Sequence, residues 1–447
     1  MSRLFVRRRR QLQADEENRL SLFAIRSSES TRRRPVEEDP ADIRLEFQRD
    51  RDRILHARSF RRLKHKTQVF VPHVGDHPRT RLTHTLEVGQ LARTIARSLG
   101  LNEDLAEAVA IGHDLGHTAF GHTGETVLDE ILRGGNPEVK LPEAVVAEVG
   151  RFKHNYQSLR VVDLLERRYD SPGLNLTDQV REAILKHTTW KVDYHFPLPD
   201  REGLFLNQPC HLEGQAVAIA DEIAQQTHDL EDGLRARSVE LETVEELAAA
   251  QRVIETIGSD RYYGERNWIR QNTLVRGLIR LFISDVVAAS AERIRGFLEQ
   301  HEIGDHADFV RLSRAVSQTA VWMSPEIAEL FDELKSFIYA RIINQGPVSR
   351  QDWRARKVLT ALFGTYWTAP ATLPDYLLRR AAEECALPYL RDLPLKRIAG
   401  TVAERYHSSS GFARLIVDHL AGMSDRFALE EYRRLQLPSP EQDLTTI

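Results

Sequence analysis

Histidine is the side chain this sequence supplies in excess: there are 17, against two cysteines, Cys210 and Cys385. Imidazole ligates divalent metals and exchanges its proton nearest neutral pH, so any clustering of these residues bears on catalysis. Three stretches put His or Asp inside otherwise apolar runs. His84 lies within RTRLTHTLEV (79–88), His113 and Asp114 within AVAIGHDLGH (108–117), and Asp221 within AVAIADEIAQQTHD (216–229). Singly, each has a plain structural explanation. A lone His on an apolar face is usually a hydrogen-bonded core residue, and a second His-Asp dipeptide, His228-Asp229, shows that the pair recurs. A buried carboxylate, however, requires a partner. One divalent cation held by His84, His113, Asp114 and Asp221 accounts for all three stretches, whereas independent buried salt bridges need several coincidences. Two imidazoles with two carboxylates suit Mn, Fe, Co, Ni or Zn and accept Mg less readily.

Helices must carry these residues. His84, Val88, Leu91, Ile95 and Leu99 fall on one helical face and Gly100 stands where a C-terminal cap belongs, which predicts a helix over 84–99. Asn102 is a good N-cap for the next helix, with Glu103 and Asp104 favourable in its first turn; that helix is expected to end near Gly116. Helical periodicity continues over 122–133, 142–150, 154–169, 176–188, 212–230, 240–257 and 268–300, then in mixed segments to about 435. QVFVP (68–72) is the one good strand signal. Neither GxxxxGK[ST] nor GxGxxG occurs, so the usual phosphate-cradling loops are absent. The expected fold class is all-α.

Composition bounds the rest. With 447 residues, 41% hydrophobic and 29% charged, the chain can bury a large core and is not disordered as a whole. Lys and Arg number 62 against 66 Asp and Glu, a balance that argues against a general nucleic-acid coat. Two cysteines exclude a disulfide scaffold. No apolar run approaches a membrane span and no apolar stretch follows the basic MSRLFVRRRR, so a cytoplasmic protein is expected. We expect a basic, partly disordered arm over 1–45, holding the runs Arg7 to Arg10 and Arg32 to Arg34, a core over 46–235 and a C-terminal helical region over 236–447 packed on it.

The order H…HD…D, in TRLTHTLEV, HDLGHTAFGHTGE (113–125) and ADEIAQQTHDLED (220–232), resembles the HD-domain phosphohydrolases. More narrowly, it resembles the bacterial deoxyguanosine triphosphate triphosphohydrolases and their dNTPase relatives. GHTGE after HDLGH is the most discriminating piece, and RSFRRLKHKTQVF, FKHNYQSLR, GLNLT and AGMSDRFALEEYRRL extend the likeness over about residues 44–435. The resemblance implies a helical HD fold with additional C-terminal helices. It implies hydrolysis of a dNTP to deoxynucleoside and inorganic triphosphate, with one divalent ion, Mn or Mg, for activity. It also implies a homo-oligomer, hexamer or tetramer, with an allosteric dNTP or single-stranded DNA as further partners and no membrane.

Site roles follow from that resemblance. An alkoxide leaves poorly, so hydrolysis at the α-phosphorus wants a general acid. His122 and Glu125 are three residues apart on one helical face, and we expect Glu125 to hold the His122 imidazole and raise its pKa. His117 and His154 match positions that contact phosphate or assist the acid. Arg81 is expected on phosphate, Gln68 at the sugar, and Asp229 on the 3′-hydroxyl. Of the basic stretch Arg58, Arg61, Arg62, Lys64 and Lys66, most are read as solvated or structural, with Arg62 assigned to substrate. One departure is Gln225, where relatives usually carry Tyr; it puts affinity or substrate class in question but not the metal set. Competing readings are another HD phosphohydrolase, either a nucleoside monophosphatase or a cyclic-nucleotide phosphodiesterase, and a catalytically silent nucleotide- or DNA-binding regulator.

Overall fold

The computed structural model of the chain describes residues 7–36, 39, 41–67, 79–191, 194–198 and 201–436. The expected strand at 68–72 and Gln68 lie outside the described residues. Among those described, the fold is all-α, with no strand and only two isolated bridges, Arg32 with Thr177 and Thr67 with Thr80. The helices of the first half are α1 (Arg9–Arg19), α2 (Glu46–Leu55), α3 (Arg58–Arg62), α4 (Arg81–Leu99), α5 (Glu103–Gly112), α6 (Gly121–Leu132), α7 (Glu143–Val149), α8 (His154–Arg160), α9 (Asp178–Lys186) and α10 (Leu212–Arg235). Those of the second half are α11 (Leu241–Glu245), α12 (Ala248–Ile257), α13 (Ser259–Tyr263), α14 (Asn267–Gln300), α15 (His306–Leu312), α16 (Pro325–Ile338), α17 (Gly346–Thr368), α18 (Asp375–Cys385), α19 (Leu395–Thr401), α20 (Ser410–Ala421) and α21 (Asp425–Gln436).

Local sequence sets the helices that matter. Thr80 caps α4 by accepting the Thr83 amide, and Gly100 ends it in the left-handed conformation at φ 70°. Asn102 caps α5, its side chain accepting from the amides of Asp104 and Leu105. Helix α5 stops at Gly112, short of the expected Gly116, and residues 113–116 form a turn. The reason lies in α8. A Cβ on Gly116 would collide with the Ser158 amide and the His154 carbonyl, so the turn is pressed against that helix. Ser158 Oγ accepts from the Gly116 amide (2.8 Å) and donates to the His113 carbonyl (2.6 Å). The periodic segment 154–169 is helical only as far as a wider π-type turn, Val161–Leu165. Segment 240–257 divides into α11 and α12.

Helix α4 packs between α5 and α10, and α5 also meets α2 and α9. Two apolar cores result. One takes Val88, Val109, Ile184 and Ile223 from the first half together with Leu278, Phe282 and Phe331 from α14 and α16. The other takes Val127, Leu128 and Val149 together with Phe363, Leu378 and Ile416 from α17, α18 and α20. Helices from both halves share each core. The arm joins this packing. Over its described part it is docked, with Ala24 buried in the core and Arg32 ion-paired to Asp50 (2.6 Å) and Glu46 (2.7 Å). Asp50 is fully buried, so a cation is required there, and Arg32 is that cation rather than a solvated one.

Candidate active site

Helices α4, α5 and α10 bring His84, His113 and Asp221 together, with one ligand atom of each within 4.8 Å of the others. His84 Nε2 is 2.9 Å from Asp221 Oδ1, and His113 Nε2 lies 3.6 Å from the same oxygen and 3.4 Å from Asp114 Oδ1. His113 Nδ1–H donates to the Ala110 carbonyl (2.6 Å), which leaves Nε2 facing the two carboxylates. That nitrogen is buried and has no hydrogen-bond partner, an unusual cost for the chain to carry. A divalent cation fits this donor set: two imidazole nitrogens, one of them orphaned, converge with carboxylates. Burial pushes the His113 imidazole down, but Asp114 and Asp221 outweigh it and lift its pKa to about 9. Asp114, opposed by burial, is held well below the usual carboxylate range by His113, His117 and Arg81; Asp221 is held low against burial by His113 and His84.

Behind His84 stands the second His-Asp dipeptide. His84 Nδ1 is 3.4 Å from His228 Nδ1, and His228 Nε2 pairs with Glu87, which pairs with Arg79 (3.2 Å). This chain orients a donor from outside the cluster.

A second group abuts the first. Asp114, His117 and His154 offer ligand-type atoms within 4.8 Å of one another, with His117 Nε2 3.2 Å from Asp114 Oδ1. The His117 and His154 rings stack with centroids 3.9 Å apart, and His122 stands edge-on to His117 at 5.3 Å. Glu125 does not hold His122, contrary to the sequence expectation. Its Oε2 accepts from His154 Nδ1 (2.6 Å) and from the His154 amide (3.1 Å), because the turn before α8 brings that residue over α6. Burial would raise the Glu125 pKa, but His154 outweighs it and holds the carboxylate at about 2. His122 is the member of the group open to solvent at the rim. The crowding of its ring, then Arg81 and His154, lower its pKa rather than raise it.

Arg81 is 1% exposed and donates to Asp114 Oδ2 (2.7 Å), while its Nε and Nη2 have no partner, so it has donors free for an anion. Asp229 is 2% exposed on α10, its Oδ2 unpartnered. Burial, then Asp232, push its carboxyl up to about 8, so near neutrality it carries a proton and can donate as well as accept. Gln225 sits half-buried one turn after Asp221, and Glu222 pairs with Lys335 of α16 (2.9 Å). Arg62 is not brought to the cluster; its Nη1 donates to the Gly422 carbonyl (2.9 Å) of the C-terminal helices.

Sequence reasoning missed three residues here. His187 ends α9 with its Nδ1–H on the Ile184 carbonyl (2.7 Å), as His113 does with Ala110, and its Nε2 is 3.3 Å from His154 Nε2. Its signal was a His at the end of an apolar helix, the pattern used for His113. Asp425 accepts from the amides of Phe120 (2.8 Å) and Thr67 (2.9 Å) and so fixes the loop before α6, where Phe120 adopts φ 63°. Lys66 is buried, donating to the carbonyls of His117 and Ala421 (2.9 Å), and burial, then Arg62, bring its pKa down to about 7.

A helical fold in which α4, the turn that ends α5, and α10 carry the H…HD…D set defines an HD-type protein, and the HD domain family matches residues 81–225. A phosphohydrolase-associated domain matches 321–392 and 387–434. The chain is 36% identical over 421 residues to a deoxyguanosinetriphosphate triphosphohydrolase-like protein of Caldanaerobacter subterraneus, covering 94% of this chain and 93% of the relative. It is 38% identical to proteins of the same description from Geobacter metallireducens (95% of this chain, 97% of the relative) and Bordetella pertussis (94% and 96%). The chain belongs to this family of deoxyguanosinetriphosphate triphosphohydrolase-like HD proteins. No helix among the described residues is long and apolar enough to cross a membrane.

Proposed function

We propose that the protein hydrolyses deoxynucleoside triphosphates to deoxynucleoside and inorganic triphosphate. The observation that carries this reading is the contact of two unlike groups. A metal-type donor set abuts a set of histidines backed by Glu125, and a buried Arg with free donors stands between them. Phosphoryl hydrolysis needs all three: an electrophile, a proton source and a cation for the phosphates. A pure binder has no use for the proton source.

His84, His113, Asp114 and Asp221 would hold one divalent ion, Mn or Mg for activity. When bound it supplies Lewis acidity at a phosphate oxygen and lowers the pKa of water. Arg81 binds a non-bridging phosphate oxygen through Nε and Nη2. Water attacks the α-phosphorus, the bond from phosphorus to the sugar 5′ oxygen breaks, and that oxygen takes a proton. His122, the accessible member of the histidine group, would be the donor once the negative charge of the bound phosphates offsets the surroundings that lower its pKa; His117 and His154 stand beside it, and Glu125 fixes His154. Both ring nitrogens of His154 are engaged, by Glu125 and His187, which favours proton handling over metal binding there. Asp229 reads the sugar 3′-hydroxyl. The native assembly is a homo-oligomer, with cytoplasmic localisation. Incubating the protein with each dNTP and with their mixture, in Mn and in Mg, tests the reading. Turnover of at least one dNTP that stops on chelation is expected; turnover of nucleoside monophosphates or cyclic nucleotides alone would contradict it.

A further inference from the structure

A second cavity, of about 470 Å³, is lined by Leu115, Gly116 and Lys66 on one side and by α18, α20 and the start of α21 on the other; none of the metal-type donors lines it. Its charge is unbalanced. Arg58, Arg62, Lys66, Arg167 and Arg380 face two carboxylates, Glu166 and Asp418, both already engaged. Glu166 accepts from the amides of Ser59 (2.7 Å) and Arg58 (3.2 Å). Asp418 binds Arg160 (2.8 Å) and accepts from Gln157 Nε2 (2.9 Å). Arg167 and Arg380 both turn to Glu384. Arg58 has no carboxylate partner among the described residues, and Arg62 gives one N–H to the Gly422 carbonyl.

The lining also holds polar atoms that nothing satisfies. Gln157, 1% exposed, has its Oε1 without a donor; Ser59, 8% exposed, has its Oγ unpartnered; and so does His419 at Nε2. Native proteins rarely leave such groups unpaired, and three on one cavity point to an occupant that pairs them. The Gln157 oxygen accepts only, because its amide nitrogen is committed to Asp418, so the occupant must bring hydroxyl or amine donors. The free cations call for an anion at the same time.

We propose that this cavity is a second ligand site, for a phosphate monoester of a hydroxylated body: a sugar phosphate, free or within a nucleotide. The phosphate meets the Arg58 and Arg62 guanidiniums, and the hydroxyls meet Gln157 Oε1, Ser59 Oγ and His419 Nε2. Tyr376, 55% exposed, and Phe427, 40% exposed, offer rings at the opening for a planar base when the ester is a nucleotide.

Calorimetric titration of the full-length, metal-loaded protein with ribose 5-phosphate, with AMP and with inorganic phosphate tests this. Saturable binding of at least one ester is expected, and Asp221→Ala should retain it, which separates this cavity from the metal site. Arg58→Glu, at an exposed position, should keep the fold by circular dichroism and weaken binding about tenfold or more, as loss of a charge-assisted contact requires. The tighter ester names the source, sugar phosphate or nucleotide. No saturable binding of either ester, binding abolished by Asp221→Ala, indifference to Arg58→Glu, or inorganic phosphate binding as tightly as the esters would each overturn the proposal.

Discussion

Replacing Glu125 with Gln changes a charge and almost no volume. In the native protein the carboxylate accepts from His154 Nδ1 at 2.6 Å and from the His154 amide at 3.1 Å, with 19% of its side chain exposed. The side-chain amide of the Glu125→Gln variant would still accept one bond but without charge. A hydrogen bond to a charged group contributes about 1.5–3 kcal/mol and a neutral one about 0.5–1.5, so the substitution should cost about 1–2 kcal/mol. If that interaction positions the proton-handling histidines, kcat falls roughly 5- to 30-fold, at about 1.36 kcal/mol per decade. Metal content should be unchanged, since Glu125 lies outside the donor set. Stability gives a second readout. The Glu125 pKa is depressed from 4.5 to about 2, so its contribution is present above the unfolded value and is lost as pH falls through the folded one. The stability gap between native and variant protein should be full at pH 7 and close between pH 4.5 and about 2. Steady-state kinetics, metal analysis and urea unfolding across pH are the assays. An unchanged kcat, a gap that ignores pH, or loss of metal would refute the reasoning.

Other outcomes follow from the same geometry. His113→Ala should abolish metal binding and hydrolysis together, since it removes a donor with no substitute; normal metal content in the variant would remove His113 from the set. His122→Ala should lower kcat by roughly 10²–10⁴-fold with metal retained, the usual worth of general acid catalysis; metal loss would make it a ligand instead. Lys66, lowered from 10.5 to about 7, binds fewer protons folded than unfolded between those values, so native stability should rise with pH from 7 to 9. In Lys66→Met that rise should flatten, as measured by Tm at the two pH values. Asp229 runs the other way: raised from 3.8 to about 8, it loses stabilisation as pH climbs through 8. Asp229→Asn should therefore lose less Tm than the native protein between pH 6 and 9, and should discriminate less between dNTP and dideoxy analogue in kcat/KM if Asp229 reads the 3′-hydroxyl.

Much of the site was legible because metal-type donors had to sit where helical periodicity demanded apolar residues. His84 and Asp221 were visible as exceptions on the buried faces of α4 and α10, and Gly100 and Asn102 marked the end of α4 and the start of α5. What was hidden depends on contacts between distant segments. Glu125 and His122 share a helix, so i,i+3 spacing paired them, but α8 delivers His154 with both an imidazole and an amide to the same carboxylate. Arg62 belongs to a basic stretch whose members sequence cannot sort. The distant Gly422 carbonyl and the second cavity decide where it points. The arm looked solvated because its charges were counted without their partners, and Asp50, the buried partner of Arg32, lies 18 residues further on. Asp425 is farther still from the loop it fixes, and no local pattern could reveal that tie.

The most direct test of the central claim is the fate of oxygen. The metal-loaded protein, given a dNTP in ¹⁸O-labelled water, should release intact inorganic triphosphate carrying the label, with an unlabelled deoxynucleoside. Label in pyrophosphate or orthophosphate would place the attack on another phosphorus, and label in a deoxynucleoside monophosphate would place the broken bond on the other side of the α-phosphorus; each would contradict the account.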